Sequence, residues 1–149
     1  MLHAPVEIQS EIVADRFVLR PLRRSDAGLI AIYAGDVRVA QMTQDIPHPF
    51  PPGAAEAMVE RANFDGRTTD VWAIDGSNQN HAEVMGLVSL ERLDRDQSEI
   101  RFWVAPAFWN SGIATEAIGI LMGANPQDLI AILQAMKSAG ALHADIEVI

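Results

Sequence analysis

Apolar and polar residues change their period several times along the chain, and each change marks an element. Residues 16–22 (RFVLRPL) alternate apolar and basic side chains up to a proline, the rhythm of a half-buried strand. Ser25 and Asp26 are helix-capping types, and Leu29, Ile30, Ile32 and Tyr33 recur at helical spacing until Gly35, so a short helix follows. Residues 46–53 (IPHPFPPG) hold four prolines, which propagate neither a helix nor a ladder and predict an ordered loop. Helical spacing resumes over 54–64. From Val71 the period becomes two: 71–75, 83–91 and 98–105 are separated by Gly/Asn-rich and Asp-rich turns, which predicts an antiparallel meander. Residues 112–122 place Ala114, Ala117, Ile118, Leu121 and Met122 on one helical face. Another helix is expected from Pro126 to Gly140, and 142–149 alternate as a last strand.

This order predicts one α+β domain spanning 1–149, with a mixed, mainly antiparallel sheet flanked by helices. A helical crossover would let the last strand lie parallel to the third meander strand. The 149 residues are enough to bury one core. With 20 acidic and 11 basic residues the formal charge is -9, which repels a polyanion and argues against nucleic acid. The absence of cysteine excludes disulfides and thiolate metal sites and suits the cytoplasm. His3, His48, His81 and His143 are scattered without ligand spacing, so no metal is expected. The longest apolar run, 114–124, is too short for a membrane span, and the first residues do not have the pattern of a signal peptide.

The chemistry concentrates in 102–117, FWVAPAFWNSGIATEA, which runs from strand through loop into helix. Pro106 has no N–H, which predicts a free strand edge near Val104 and Ala105. Asn110 and Gly112 both tolerate positive φ, so successive backbone N–H groups can converge into an anion-binding nest. Gly112 and Ala114 are small enough to let an oxyanion reach the first turn of the helix, whose partial charge is positive. Tight strand–helix packing alone would also use small residues there.

Residues 105–117 (APAFWNSGIATEA) resemble the acetyl-CoA loop of the GNAT superfamily of N-acetyltransferases, in particular the ribosomal-protein-alanine acetyltransferase branch. That loop reads Arg/Gln-x-x-Gly-x-Gly/Ala, often with Trp-Gly at its start in this branch. Trp109 and Asn110 stand at the start, and Gly112 and Ala114 match the two small positions. RFVLRPLRRSDA and IPHPFPPGAAEAMVERA resemble the family's first strand and helix and its following loop and helix, so the likeness covers about 12–124. It implies that acetyl-CoA is the cosubstrate and that a primary amine, of a protein N-terminus or a small molecule, attacks the acetyl thioester. Phe102, Trp103 and Val104 would line the pantetheine arm, and Trp109, Asn110, Ser111, Gly112, Ile113 and Ala114 would hold the pyrophosphate. The alternative is a non-catalytic or degenerate CoA-binding protein of the same fold.

Glu99, on the strand entering the loop, is the candidate general base; its plainer role is a solvated carboxylate opposite Arg101 or Arg92. His48, between two prolines, is the candidate substrate contact. Tyr33, the single tyrosine, is a core or groove residue rather than the acid. Residues 125–149 depart from the family and resemble the C-terminus of flagellar P-ring proteins, in DLIAILQAMKSAGAL and ADIEVI. The chain thus reads as a chimera lacking the family's usual C-terminal helix and final strand pair. An uncovered edge there predicts a homodimer through the C-terminal segment.

Overall fold

A computed structural model of the chain describes residues 11–43, 46–94 and 97–122. Within them lies a five-stranded sheet: β1 (Ile12–Val13), β2 (Val18–Pro21), β3 (Thr69–Asp75), β4 (Gly86–Asp94) and β5 (Gln97–Val104). The strands follow sequence order, and every neighbouring pair is antiparallel. Helices α1 (Ala27–Ala34), α2 (Val37–Met42) and α3 (Ala54–Ala62) come between β2 and β3, and α4 (Ile113–Met122) follows β5. The helix expected from Pro126, the last strand with its parallel pairing, the replaced tail and the dimer contact all lie outside the described residues.

Two elements are additional to those predicted. β1 has two residues, too few to display a period. α2 starts at Asp36, whose carboxylate accepts the Arg38 N–H at 2.8 Å; one short turn of this kind leaves no apolar stripe to read. The second meander strand also shifts, from the predicted 83–91 to Gly86–Asp94. Ladder bonding still reaches Met85, whose N–H donates to Ile74 O at 2.7 Å and whose carbonyl accepts from Ala105 at 2.8 Å. At Gly86 the β5 backbone comes so close that a Cβ would overlap the Trp103 carbonyl oxygen.

Register assigns residues to the two sheet faces. Ala73, Leu87 and Trp103 are aligned across β3, β4 and β5, and so are Trp72, Val88 and Phe102 on the opposite face. The first face packs under α1, α2 and α3 with Ile30, Ala34, Val39 and Val59 buried. The second packs under α4, with Phe17, Leu19, Ile74 and Val88 against Ile113, Ala117 and Ile118. Burying a side chain such as Ile30 or Ile118 stabilises by roughly 1.5–3 kcal/mol. The buried stripe of α4 is rotated from the one predicted. Ile113, Thr115, Ala117, Ile118 and Gly119 are buried, whereas Ala114 and Leu121 are only partly covered and Met122 is exposed. Ile113 anchors the helix as it leaves the loop, and the other positions follow from that.

Charges are also buried at one end of the first face. Arg20 forms a two-point bond to Asp26, Nη1 to Oδ2 at 2.9 Å and Nη2 to Oδ1 at 2.8 Å, and its Nε donates to Asp75 Oδ2 at 2.7 Å. The carbonyls of Pro21 and Glu83 take further guanidinium donors. Burial works against the charged form of Arg20, but the bonds to Asp26 and Asp75 overcome it and raise its pKa. Asp75 likewise loses solvation, and its bonds from Arg20 and Ser77 still hold its carboxyl below the ordinary range. The cluster ties β2 and the turn before α1 to the end of β3.

Candidate active site

The loop between β5 and α4 combines one 3-10 turn with two left-handed residues. Ala105 is extended, Pro106–Phe108 form one 3-10 turn, and Trp109 is extended again. Asn110 and Gly112 then adopt φ of 62° and 76°, the two positive values that their residue types allowed. Gly112 O accepts from Glu116 N at 3.0 Å, so the first turn of α4 begins here and the N–H groups of Ile113 and Ala114 have no acceptor within the helix. With the aligned helix peptides behind them, these donors suit an oxyanion. Asn110 is exposed, Ser111 and Ala114 are half-buried, and the Ile113 side chain is buried in the core, so Ile113 can offer only its backbone.

Of the free strand edge expected near Val104 and Ala105, two groups are already taken. Trp109 Nε1 donates to Val104 O at 2.7 Å, and Ala105 N–H is spent on Met85. The indole therefore closes the end of the strand that Pro106 would have left open. Val104 O must point away from β4 to receive Trp109, and alternation along a strand sends the N–H and C=O of Phe102 to that same edge. Among the described residues β5 is the last strand of the sheet, so the backbone of Phe102 faces an edge covered by no described strand.

Side chains in this stretch divide between the faces. Phe102 and Val104 belong with α4, and Trp103 lies under the helices of the other face. The three side chains therefore do not share one face of the sheet. On the Trp103 face opens a cleft of about 550 Å³. Trp103, Arg101, Ser89 and Glu91 form its sheet wall, and Arg61 and Phe64, at and beyond the end of α3, stand across from them. Arg67 also lines it, held by Asp70 at 3.0 Å with both side chains largely buried.

Glu99 pairs directly opposite Glu91 across β4 and β5, so the two carboxylates share the cleft face. Arg101 Nη2 donates to Glu99 Oε1 at 2.9 Å, and both side chains are nearly half-exposed. Glu91 was not singled out from the sequence, because only register reveals it as the neighbour of Glu99. His48 is elsewhere: with Phe50, Gly53, Glu56, Ala31 and Gly35 it lines a separate hollow of about 420 Å³. Tyr33 packs half-buried against the core under α1. His81, read as isolated, stacks its ring edge-on against Phe108 at 6.1 Å. Arg16 is the residue that sequence gave least reason to place at the loop. Its Nη1 donates to Ser111 O at 2.6 Å and its Nε to Glu116 Oε1 at 2.8 Å. Among the described residues no group of three His, Asp or Glu could hold a metal, and no helix is long and apolar enough to cross a membrane.

A family model described as an acetyltransferase (GNAT) domain matches residues 16–139. Solved structures share the fold. An acetyltransferase of the GNAT family from Bacillus anthracis is similar with a TM-score of 0.60 and 19% identity, over 76% of this chain and 64% of that one. A ribosomal-protein-S5-alanine acetyltransferase from Vibrio fischeri is similar with a TM-score of 0.58 and 17% identity, over 77% of this chain and 66% of that one. The Microcin C7 self immunity acetyltransferase MccE, solved with acetyl-CoA and AMP, is similar with a TM-score of 0.61 and 16% identity, over 87% of this chain and 67% of that one. A segment of 28 residues, 19% of the chain, is 79% identical to the flagellar P-ring protein of Dechloromonas aromatica. It is 75% identical to that of Bordetella pertussis, and the match spans only 8% of either P-ring protein.

Proposed function

The chain belongs to the GNAT acetyltransferase domain family, and from that premise we propose that it is an acetyl-CoA-dependent N-acetyltransferase whose acceptor is a primary amine. The observation that carries this reading is the pair of left-handed residues, Asn110 and Gly112, opening the first turn of α4. In this reading the pyrophosphate sits on the backbone of 109–114, and the pantetheine arm runs along the β5 edge past Phe102. The acceptor enters the cleft on the Trp103 face. Its nitrogen attacks the thioester carbonyl carbon, the C–S bond breaks, and the thiolate leaves to be protonated. Glu99, beside Glu91, takes the proton that the ammonium must shed, through water. A cytoplasmic location suits a chain without cysteine.

The test is acetyl-CoA titration of Gly112→Glu against Gly112→Ala. Both strain a backbone at φ 76°, but only the acid puts negative charge where the phosphates go. We expect binding to survive in the alanine variant and to disappear in the acid; equal affinities would move the cofactor elsewhere. A second reading, a CoA-binding protein without turnover, is favoured by one observation: Arg101 already holds Glu99. Release of free thiol from acetyl-CoA in the presence of peptide and polyamine amines separates the two.

A further inference from the structure

We propose that Arg16 is a phosphate-binding residue of the cofactor site, resting on Glu116 when the site is empty and turning to a phosphate of acetyl-CoA when it is filled. The inference rests on the reading that acetyl-CoA occupies the 109–114 loop.

Four observations lead to it. Between Arg101 and Lys137 the sequence has neither lysine nor arginine, so the loop and α4 bring no cation of their own to a ligand with several negative charges. The chain as a whole carries -9, which repels such a ligand until a local positive group offsets it. Glu116 places a carboxylate in the first turn of α4, beside the N–H groups that would receive the anion. Arg16 covers that carboxylate at 2.8 Å while its Nη1 is fixed to Ser111 O at 2.6 Å, in the loop itself. Its side chain is 45% exposed, and a guanidinium has five donors of which these bonds use two, so a phosphate can be met without unfolding anything.

The experiment titrates wild type, Arg16→Ala, Arg16→Lys and Glu116→Gln with acetyl-CoA and with S-acetyl-pantetheine, which has no phosphate. Circular dichroism on each variant establishes that it is folded. Arg16→Ala is expected to weaken acetyl-CoA about ten-fold, leaving the affinity for S-acetyl-pantetheine unchanged. Arg16→Lys should fall between, because an ammonium keeps the charge and loses the fork. Glu116→Gln is the deciding variant. A phosphate-binding Arg16 is loosened by it, and one repulsive charge is removed, so acetyl-CoA binds more tightly; a mere tether keeps its bond to Ser111 O but loses its ion pair, so binding weakens, though less than in Arg16→Ala. Unchanged acetyl-CoA affinity in Arg16→Ala, or weakening in Glu116→Gln, overturns the proposal and leaves the cofactor reading standing. A wild-type protein that binds no acetyl-CoA removes both.

Discussion

Arg16 and Arg20 stand four positions apart on the same segment and have opposite fates. Arg20 is 4% exposed, and its guanidinium is enclosed by Asp26, Asp75 and two carbonyls. Arg16 stays half in water and touches one carboxylate and one loop carbonyl. A buried charge must be partnered on every side, so Arg20 is committed to holding the sheet end to the turn before α1. An exposed ion pair is weak and exchangeable, which leaves Arg16 available to a ligand. Residue type says nothing about which arginine does which; the surroundings decide.

The comparison breaks most visibly at Arg20. Arg20→Met leaves the buried Asp26 and Asp75 with only the half-exposed Arg23, whose guanidinium stands 3.9 and 3.8 Å away, and a loss of about 3–5 kcal/mol in urea unfolding is expected. A loss near zero would mean that water reaches the cluster. The Glu99–Arg101 pair extends the comparison to the cleft, because it is exposed like that of Arg16. Glu99→Gln should therefore alter stability by less than about 1 kcal/mol. If Glu99 is the base, acetyl transfer falls about 100-fold and loses its dependence on that carboxyl across the pH profile. Full rate in a folded variant removes Glu99 from the chemistry.

Acid gives a finer test of the same contrast. An unfolded aspartate titrates near about 4, and Asp75 in the folded chain lies lower. Its contribution to stability is therefore complete above about pH 4 and lost as pH falls through the lowered value. Unfolding free energy followed from pH 6 downward should decline over that window in wild type and decline less in Arg20→Met, where the Arg20 contribution to the lowering is absent and only that of Ser77 remains. The smallest effect is that of Arg16→Ala on the unliganded protein, under about 1 kcal/mol and smaller still in high salt. A larger loss would make Arg16 a structural residue like Arg20.

From the linear chain one reads whatever depends on near neighbours. The period-two runs gave the meander, the proline-rich stretch gave a loop before α3, and Asn110 and Gly112 announced left-handed turns, since their conformational freedom is local. The two-residue β1 and the single-turn start of α2 were hidden because neither is long enough to carry a pattern. Contacts across the sheet belong to the folded molecule alone. Strand alternation divides Phe102 and Val104 from Trp103, the β4–β5 register sets Glu91 opposite Glu99, and the Trp109 indole occupies the Val104 carbonyl at the edge that Pro106 predicts to be free. Arg16 reaches Ser111 across 95 positions of sequence, a distance over which no spacing rule operates. Local torsional preference is written residue by residue, whereas proximity between distant residues is created only when the two faces of the sheet bury their side chains.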